Sequence, residues 1–190
     1  GVVVADTASE AEEAAAEMLD GRFGNAGATL LVEDRVTGPE ASLFALVDGA
    51  DVLFMGSAQD HKRAYDGDKG PNTGGMGAVS PSPTLTYALQ QQVMDEIVRP
   101  LARGMADEGI PYRGILYVGL MLTGDGPQVI EFNCRLGDPE AQVILPRLRS
   151  DLVAVMLATV EGTLGHVSLR WDNRSAVTVV MAAEGYPSAY

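Results

Sequence analysis

The segment Val129-Ile-Glu-Phe-Asn-Cys-Arg135 concentrates groups that could do chemistry. On an extended strand alternate side chains share a face, so Glu131 and Asn133 point the same way, with Cα atoms about 6–7 Å apart, and Arg135 continues the row. A carboxylate beside an amide oxygen suits Mg²⁺, a hard ion that takes few protein oxygens and completes its shell with water and substrate phosphates. A guanidinium next to them suits a phosphate or a carboxylate. The same residues also read as a polar strand end emerging into solvent. Phe132 and Cys134, on the opposite face, are expected in the core.

Three further segments carry candidate groups. In Leu136-Gly-Asp-Pro-Glu-Ala-Gln142, Asp138 and Glu140 flank a proline that fixes the backbone, and could receive an amine or a ribose hydroxyl. Acids are equally favourable at a helix N-terminus. In the run from Gln59 to Gly77, His61, Lys62, Arg63 and Lys69 form a basic knot in an otherwise acidic chain. The stretch Asn72-Thr73-Gly74-Gly75-Met76-Gly77 that follows can turn backbone N–H groups toward an anion, because glycine permits positive φ and close approach. Its spacing is neither a Walker A loop nor a dinucleotide fingerprint, and a plain glycine-rich turn is the competing reading. In Val32-Glu-Asp-Arg-Val-Thr-Gly-Pro-Glu40, acceptors at Glu33 and Glu40 could meet an amino group and a sugar hydroxyl, or simply edge a surface turn. His166 and Trp171 belong to no cluster.

The elements that must hold these groups alternate in period. Thr7-Ala-Ser-Glu10 is a capping-box pattern, and Ala11, Ala14, Ala15, Met18 and Leu19 form a helical stripe ending near Gly21. The six acids from Asp6 to Asp20 are its solvated face. Strands are expected over residues 1–5, 28–33, 41–47, 52–56 and 176–183. Residues 59–83 read as a long polar loop, a feature more often functional than filler. A helix is expected over 85–106, kinked or divided at Pro100. Residues 114–122 and 128–132 form a hairpin around Thr-Gly-Asp-Gly-Pro. A last helix spans 150–161, with a Ser-Asp start and Gly162 at its end. The mixture is α+β.

Composition narrows the partners. The 190 residues are 46% hydrophobic, enough for a core, and 26 acids against 13 Lys plus Arg leave a net charge of −13. That balance argues against nucleic acid or an anionic membrane surface as partner, so any phosphate must be gripped locally. One cysteine gives no internal disulfide and no cysteine cluster for zinc. No apolar run approaches the roughly 20 residues of a membrane helix, and no secretory signal pattern is present. A soluble, cytoplasmic chain is the expectation. The strand-like runs at both ends suggest an internal piece of a larger protein.

Taken together, Asp60-His-Lys-Arg63, Gly70-Pro-Asn-Thr-Gly-Gly-Met-Gly77, Ile130-Glu-Phe-Asn-Cys-Arg135 and Gly137-Asp-Pro-Glu140 resemble the glycinamide ribonucleotide synthetase (phosphoribosylamine–glycine ligase) family of the ATP-grasp superfamily. Val179-Val-Met-Ala-Ala-Glu-Gly-Tyr-Pro187 resembles the opening of that family's C-terminal domain. The resemblance implies an ATP-grasp fold: the back of the small lid subdomain over 1–35, the large subdomain over 36–170, and the start of the C-terminal domain over 171–190. It implies ATP-dependent ligation of glycine to 5-phosphoribosylamine through a glycyl phosphate, in purine biosynthesis. Glu131 and Asn133 would hold Mg²⁺ (or Mn²⁺) on the ATP phosphates. Glu33 and backbone groups through Val36 would face the adenine, Glu40 the ribose hydroxyls, and Lys62 the nucleotide. The loop Asn72–Gly77, with Arg135, Asp138 and Glu140, would shape the pocket for glycine and phosphoribosylamine. Lys62 and Arg135 are the charged groups expected to act in catalysis. Many relatives carry a further acidic metal ligand on the preceding strand, where this chain reads Tyr117-Val-Gly-Leu-Met121. The family's glycine-rich phosphate loop would lie upstream of Gly1. Another ATP-grasp ligase, or a nucleotide-binding piece without catalysis, are the rival readings.

Overall fold

The run Ala41-Ser-Leu-Phe-Ala-Leu-Val47 has apolar residues on both alternating faces, the pattern of a strand covered on both sides. In the computed structural model, which describes residues 2–22, 24–67 and 69–188, this run is β1 (Glu40–Asp48), buried from Ala41 onward. The chain divides into two compact units, Gly1–Thr37 and Gly38–Tyr190.

In the second unit the strands are β1, β2 (Val52–Asp60), β3 (Arg63–Tyr65), β4 (Lys69–Asn72), β5 (Gly77–Ser80), β6 (Arg113–Thr123), β7 (Gly126–Asn133) and β8 (Ala176–Val179). Six form one sheet in the order β7–β6–β1–β2–β5–β8 with every pairing antiparallel, while β3 and β4 make a small hairpin. The α+β expectation holds. Alternation along β1 and β6 sorts the core into two layers. On one face Leu43, Ala45, Val47, Val118 and Leu120 meet Val93, Met94, Val98 and Ala102 of the long helix. On the other, Phe44, Leu46, Met55 and Tyr117 meet Val143, Ile144, Val155 and Leu164. Fully burying each of the Val, Leu, Ile, Phe and Met side chains among them contributes about 1.5–3 kcal/mol.

The long helix comprises α2 (Tyr87–Val93), a π-type turn over Met94–Val98, and α3 (Arg99–Asp107). Pro100, which lacks the N–H needed four residues back, follows that wide turn directly, so the expected division falls where predicted. After β7 come α4 (Ala141–Ile144) and α5 (Leu152–Glu161). Asp151 caps α5 by accepting from the Val153 and Ala154 N–H groups at 2.8 and 3.2 Å, and Gly162 closes it at φ 73°. The β6–β7 hairpin matches the expected one.

Three expectations are corrected. Residues 59–83 are not one loop: β2 runs to Asp60, the β3–β4 hairpin follows, and β5 inserts between β2 and β8. Backbone pairing organises a segment whose side chains read as loop. Phe132 and Cys134 are exposed, because β7 is the outer strand and the helix layer covers it only in part. In the first unit, α1 (Ala8–Glu17) starts where expected, with Thr7 Oγ1 accepting from the Glu10 N–H, and its acids are exposed. Residues 2–5 and 28–33 form no strand there, and Leu31 and Val32 stand 77% exposed; β-favouring residues need a ladder partner, and the described residues of this unit supply none. Gly1 lies outside the described residues.

Candidate functional site

The site forms on the face of the sheet that carries Phe44 and Tyr117, where polar residues replace the apolar ones. Glu40 and Ser42 alternate on β1, and Ser42 pairs with Ala58 of β2 and Gly119 of β6, which in turn pairs with Glu131 of β7. Residues paired across antiparallel strands share a face, so this register carries the row from the middle of the sheet to its edge. A bulge opposite Gly119/Leu120 shifts β7 by one residue beside Glu131. Gly119 leaves that shift room, since a Cβ there would stand 3.0 Å from Glu131 Cγ. The result is a narrow cleft, lined among others by Glu40, Ser42, Asp60, Lys62, Tyr117 and Glu131.

Among the described residues that line it, Lys62 is the one cation. Lys62 Nζ lies 3.5 Å from Glu40 Oε2. Burial works against its ammonium, but Tyr117 and the carboxylates of Glu40, Asp60 and Glu131 outweigh burial and hold its pKa above the ordinary value. Behind the cleft Ser42 Oγ lies 3.0 Å from the Tyr117 hydroxyl and 3.4 Å from Glu140 Oε1. With the Ser42 hydroxyl donating to the Glu140 carboxylate, the proton left for the other contact is Tyr117's, giving a chain Tyr117→Ser42→Glu140. Burial pushes the Tyr117 phenol up to about 12 against the opposing Ser42 hydrogen bond, so it stays a donor. Burial, with the charge of Glu140 next, pushes Asp60 up to about 7. Asp60 Oδ1 is shielded and accepts no hydrogen bond.

The cleft thus brings together Glu40, Lys62 and Glu131 of the sequence candidates, with Glu140 buried behind Ser42. Asn133 sits on the same face opposite Tyr117, half-buried, but outside the lining. Arg135 is exposed and donates to the Leu136 carbonyl at 2.9 Å, and Asp138 is exposed and accepts from Gln142 Nε2 at 2.6 Å. Glu33, exposed, and Val36, half-buried, belong to the first unit.

The loop Asn72–Gly77 departs from the anion-cradle expectation. Most of its N–H groups are spent within the chain: Thr73 on Lys62 O, Gly74 on the Tyr186 hydroxyl, Gly75 on Thr73 Oγ1 and Met76 on His61 O. Its glycines serve close approach instead. Gly75 lies at φ 122°, where a Cβ would overlap Pro139 Cδ and stand 2.9 Å from Asp60 Oδ1. The basic knot also disperses: Arg63 turns to the Gly70 carbonyl at 2.7 Å, His61 and Lys69 are exposed, and Lys62 alone enters the cleft.

Sequence reasoning missed Ser42, Asp60 and Tyr117 as site residues. Period-2 alternation links Ser42 to Glu40 and Asp60 to Lys62, a signal present but hidden inside an apolar strand and a motif quoted for its lysine. The Glu131–Asn133 pair is a carboxylate and an amide oxygen sharing a face, a donor set that fits a hard ion keeping several other ligands. Among the described residues no cluster of three or more His, Cys, Asp or Glu could hold a metal unaided. Among the described residues no helix is long and apolar enough to cross a membrane.

Comparison with known proteins adds to this geometry. The family model described as phosphoribosylglycinamide synthetase, ATP-grasp (A) domain, matches residues 1–141. The chain is 54% identical over 188 residues to phosphoribosylamine–glycine ligase of Brucella melitensis, covering 99% of this chain and 44% of that one. It is 52% identical over 192 residues to the ligase of the same name from Vibrio parahaemolyticus, covering 100% and 45%. The chain therefore spans under half the length of the curated relatives it matches. The crystal structure of phosphoribosylamine–glycine ligase from Thermotoga maritima superposes with a TM-score of 0.81 at 33% identity, over 98% of this chain and 47% of that one. An L-amino acid ligase from Bacillus licheniformis, at TM-score 0.64 and 17% identity over 97% of this chain and 43% of its own, shares the fold.

Proposed function

Because the chain belongs to the phosphoribosylglycinamide synthetase family and carries its ATP-grasp domain, we propose that it works as part of a cytoplasmic ligase joining glycine to 5-phosphoribosylamine at the expense of ATP. The family match, together with 52–54% identity to ligases of that name, is the observation that carries this reading. A glycine carboxylate oxygen attacks the γ-phosphorus, the bond to ADP breaks, and glycyl phosphate forms. The amine nitrogen of phosphoribosylamine then attacks the acyl carbon, phosphate leaves, the nitrogen loses a proton, and glycinamide ribonucleotide results. Such chemistry needs positioning and charge neutralisation more than a protein nucleophile, in keeping with a cleft of carboxylates around one lysine.

Glu131 and Asn133 would hold Mg²⁺ or Mn²⁺, which supplies charge neutralisation at the phosphates. Lys62 brings positive charge to the nucleotide, Glu40 accepts from the ribose hydroxyls, and Glu33 and Val36 face the adenine. Arg135 and Asp138 hold the two remaining substrates, with Glu140 acting on the pocket from behind Ser42. The loop Asn72–Gly77 contributes through its shape and the exposed Asn72 side chain, since most of its N–H groups are in use. The test is direct. The full natural polypeptide, given ATP, Mg²⁺, glycine and phosphoribosylamine, should release ADP and phosphate in step with glycinamide ribonucleotide. Product from another carboxylate but not from glycine would assign a different ATP-grasp ligase, and nucleotide binding with no turnover would leave only a binding role.

A further inference from the structure

The cleft holds more negative charge than its one lysine can balance. Glu40, Asp60 and Glu131 line it, Glu140 stands behind Ser42, and Lys62 is paired with Glu40. Asp60 is the carboxylate the fold leaves least compensated. Its Oδ1 is shielded yet accepts no hydrogen bond. Of the nearby N–H groups, Gly75 is committed to Thr73 Oγ1 and Met76 to His61 O, while His61, bonded to Gly77 O, gives the Asp60 carboxylate only partial support. A shielded carboxylate oxygen without a donor is costly, and like charges beside it add to the cost. A cationic donor relieves both terms at once, whereas a hydroxyl relieves only the first and a phosphate worsens the second.

Resting on the ligase reading above, we infer that Asp60, backed by Glu140, forms the subsite for a substrate's primary amino group. Two substrates of that reaction bring this chemistry, the α-ammonium of glycine and the amine of phosphoribosylamine. Asp60 reaches the cleft from β2, two residues before Lys62, so the same strand end presents an acceptor for nitrogen and a positive charge for an anionic group. Gly75 keeps the loop side of the Asp60 carboxylate free of a side chain.

The experiment is steady-state kinetics of the full natural polypeptide with Asp60→Asn, which keeps shape and removes charge, and Asp60→Glu, which keeps charge and moves it. For Asp60→Asn the KM of one amine substrate should rise about tenfold or more, with the KM for ATP within about twofold. Asp60→Glu should recover part of the loss. A rise confined to glycine places its ammonium at Asp60; a rise confined to phosphoribosylamine places the aminosugar there. Unchanged KM for both amines, or an equal rise for ATP, would overturn the assignment. Absence of glycine-dependent turnover in the unaltered protein is a separate result that would sink the ligase reading itself.

Discussion

At the residue scale, Glu131 and Asp60 make opposite predictions for function and stability. Glu131 stands exposed on an edge strand, so Glu131→Gln should leave the fold intact, with unchanged circular dichroism and melting temperature. On the proposed metal role it removes a full charge where the phosphates would be neutralised, worth about 3 kcal/mol, or roughly a hundredfold in turnover. Wild-type kcat at ordinary Mg²⁺ would refute its metal role. Asp60 is pushed up to about 7 from an ordinary value of 3.8. Between those pH values the native state binds more protons than the unfolded one, so stability falls as pH rises through that window and levels off above it. Asp60→Asn removes this titration. The variant should gain on the wild type as pH climbs from about 4 to 8, in denaturant titrations at each pH. A carboxylate that costs stability while impairing nothing when removed would have no reason to be buried there, which links this prediction to the kinetic one.

At the element scale, the loop packed against Asp60 depends on one backbone position. Gly75 takes φ 122°, with Pro139 and Asp60 where a side chain would go. Gly75→Ala should destabilise the protein by about 1–3 kcal/mol and raise the KM of whichever amine substrate Asp60 serves. Gly74→Ala makes the control, because its Cβ would meet only the Tyr186 hydroxyl at 3.6 Å. Paired thermal melts distinguish the two, and equal melting temperatures would show that the loop yields freely. The β6–β7 hairpin matters in the same local way. Its bulge beside Glu131, opposite the side-chain-free Gly119, sets how the carboxylate meets the cleft.

At the scale of the whole molecule, the two units differ in how much they bury. In Gly1–Thr37 the described residues include one buried hydrophobic side chain, Met18, whereas Gly38–Tyr190 holds two packed cores on either side of its sheet. Local opening is cheap where few apolar contacts are lost. Amide hydrogen exchange should therefore finish early across residues 2–37 and last longest in β1, which is paired on both sides and buried almost throughout. Protection in the helix Ala8–Glu17 equal to that of β1 would contradict this ranking.

Much of the architecture was legible in the residues themselves, where local physics decides. The capped helices, the β6–β7 hairpin, the interruption at Pro100 and the doubly apolar β1 each follow from short-range rules, as do Glu131 and Asn133 sharing a face. The motifs around Lys62, Gly75, Glu131 and Glu140 were enough to point to the family. What they could not convey is which strand lies beside which. Only the order β7–β6–β1–β2–β5–β8 places Ser42 and Tyr117 between Glu131 and Asp60, groups far apart in sequence, and makes β7 an edge so that Phe132 and Cys134 face solvent. Hydrogen bonds to the Lys62 and His61 carbonyls and to the Tyr186 and Thr73 hydroxyls likewise spent four N–H groups of Asn72–Gly77 that local glycine chemistry had left open for an anion. Residue type and spacing set what each side chain can do; pairing partners and burial, which are long-range, decided which of them meet and which charge is left unbalanced.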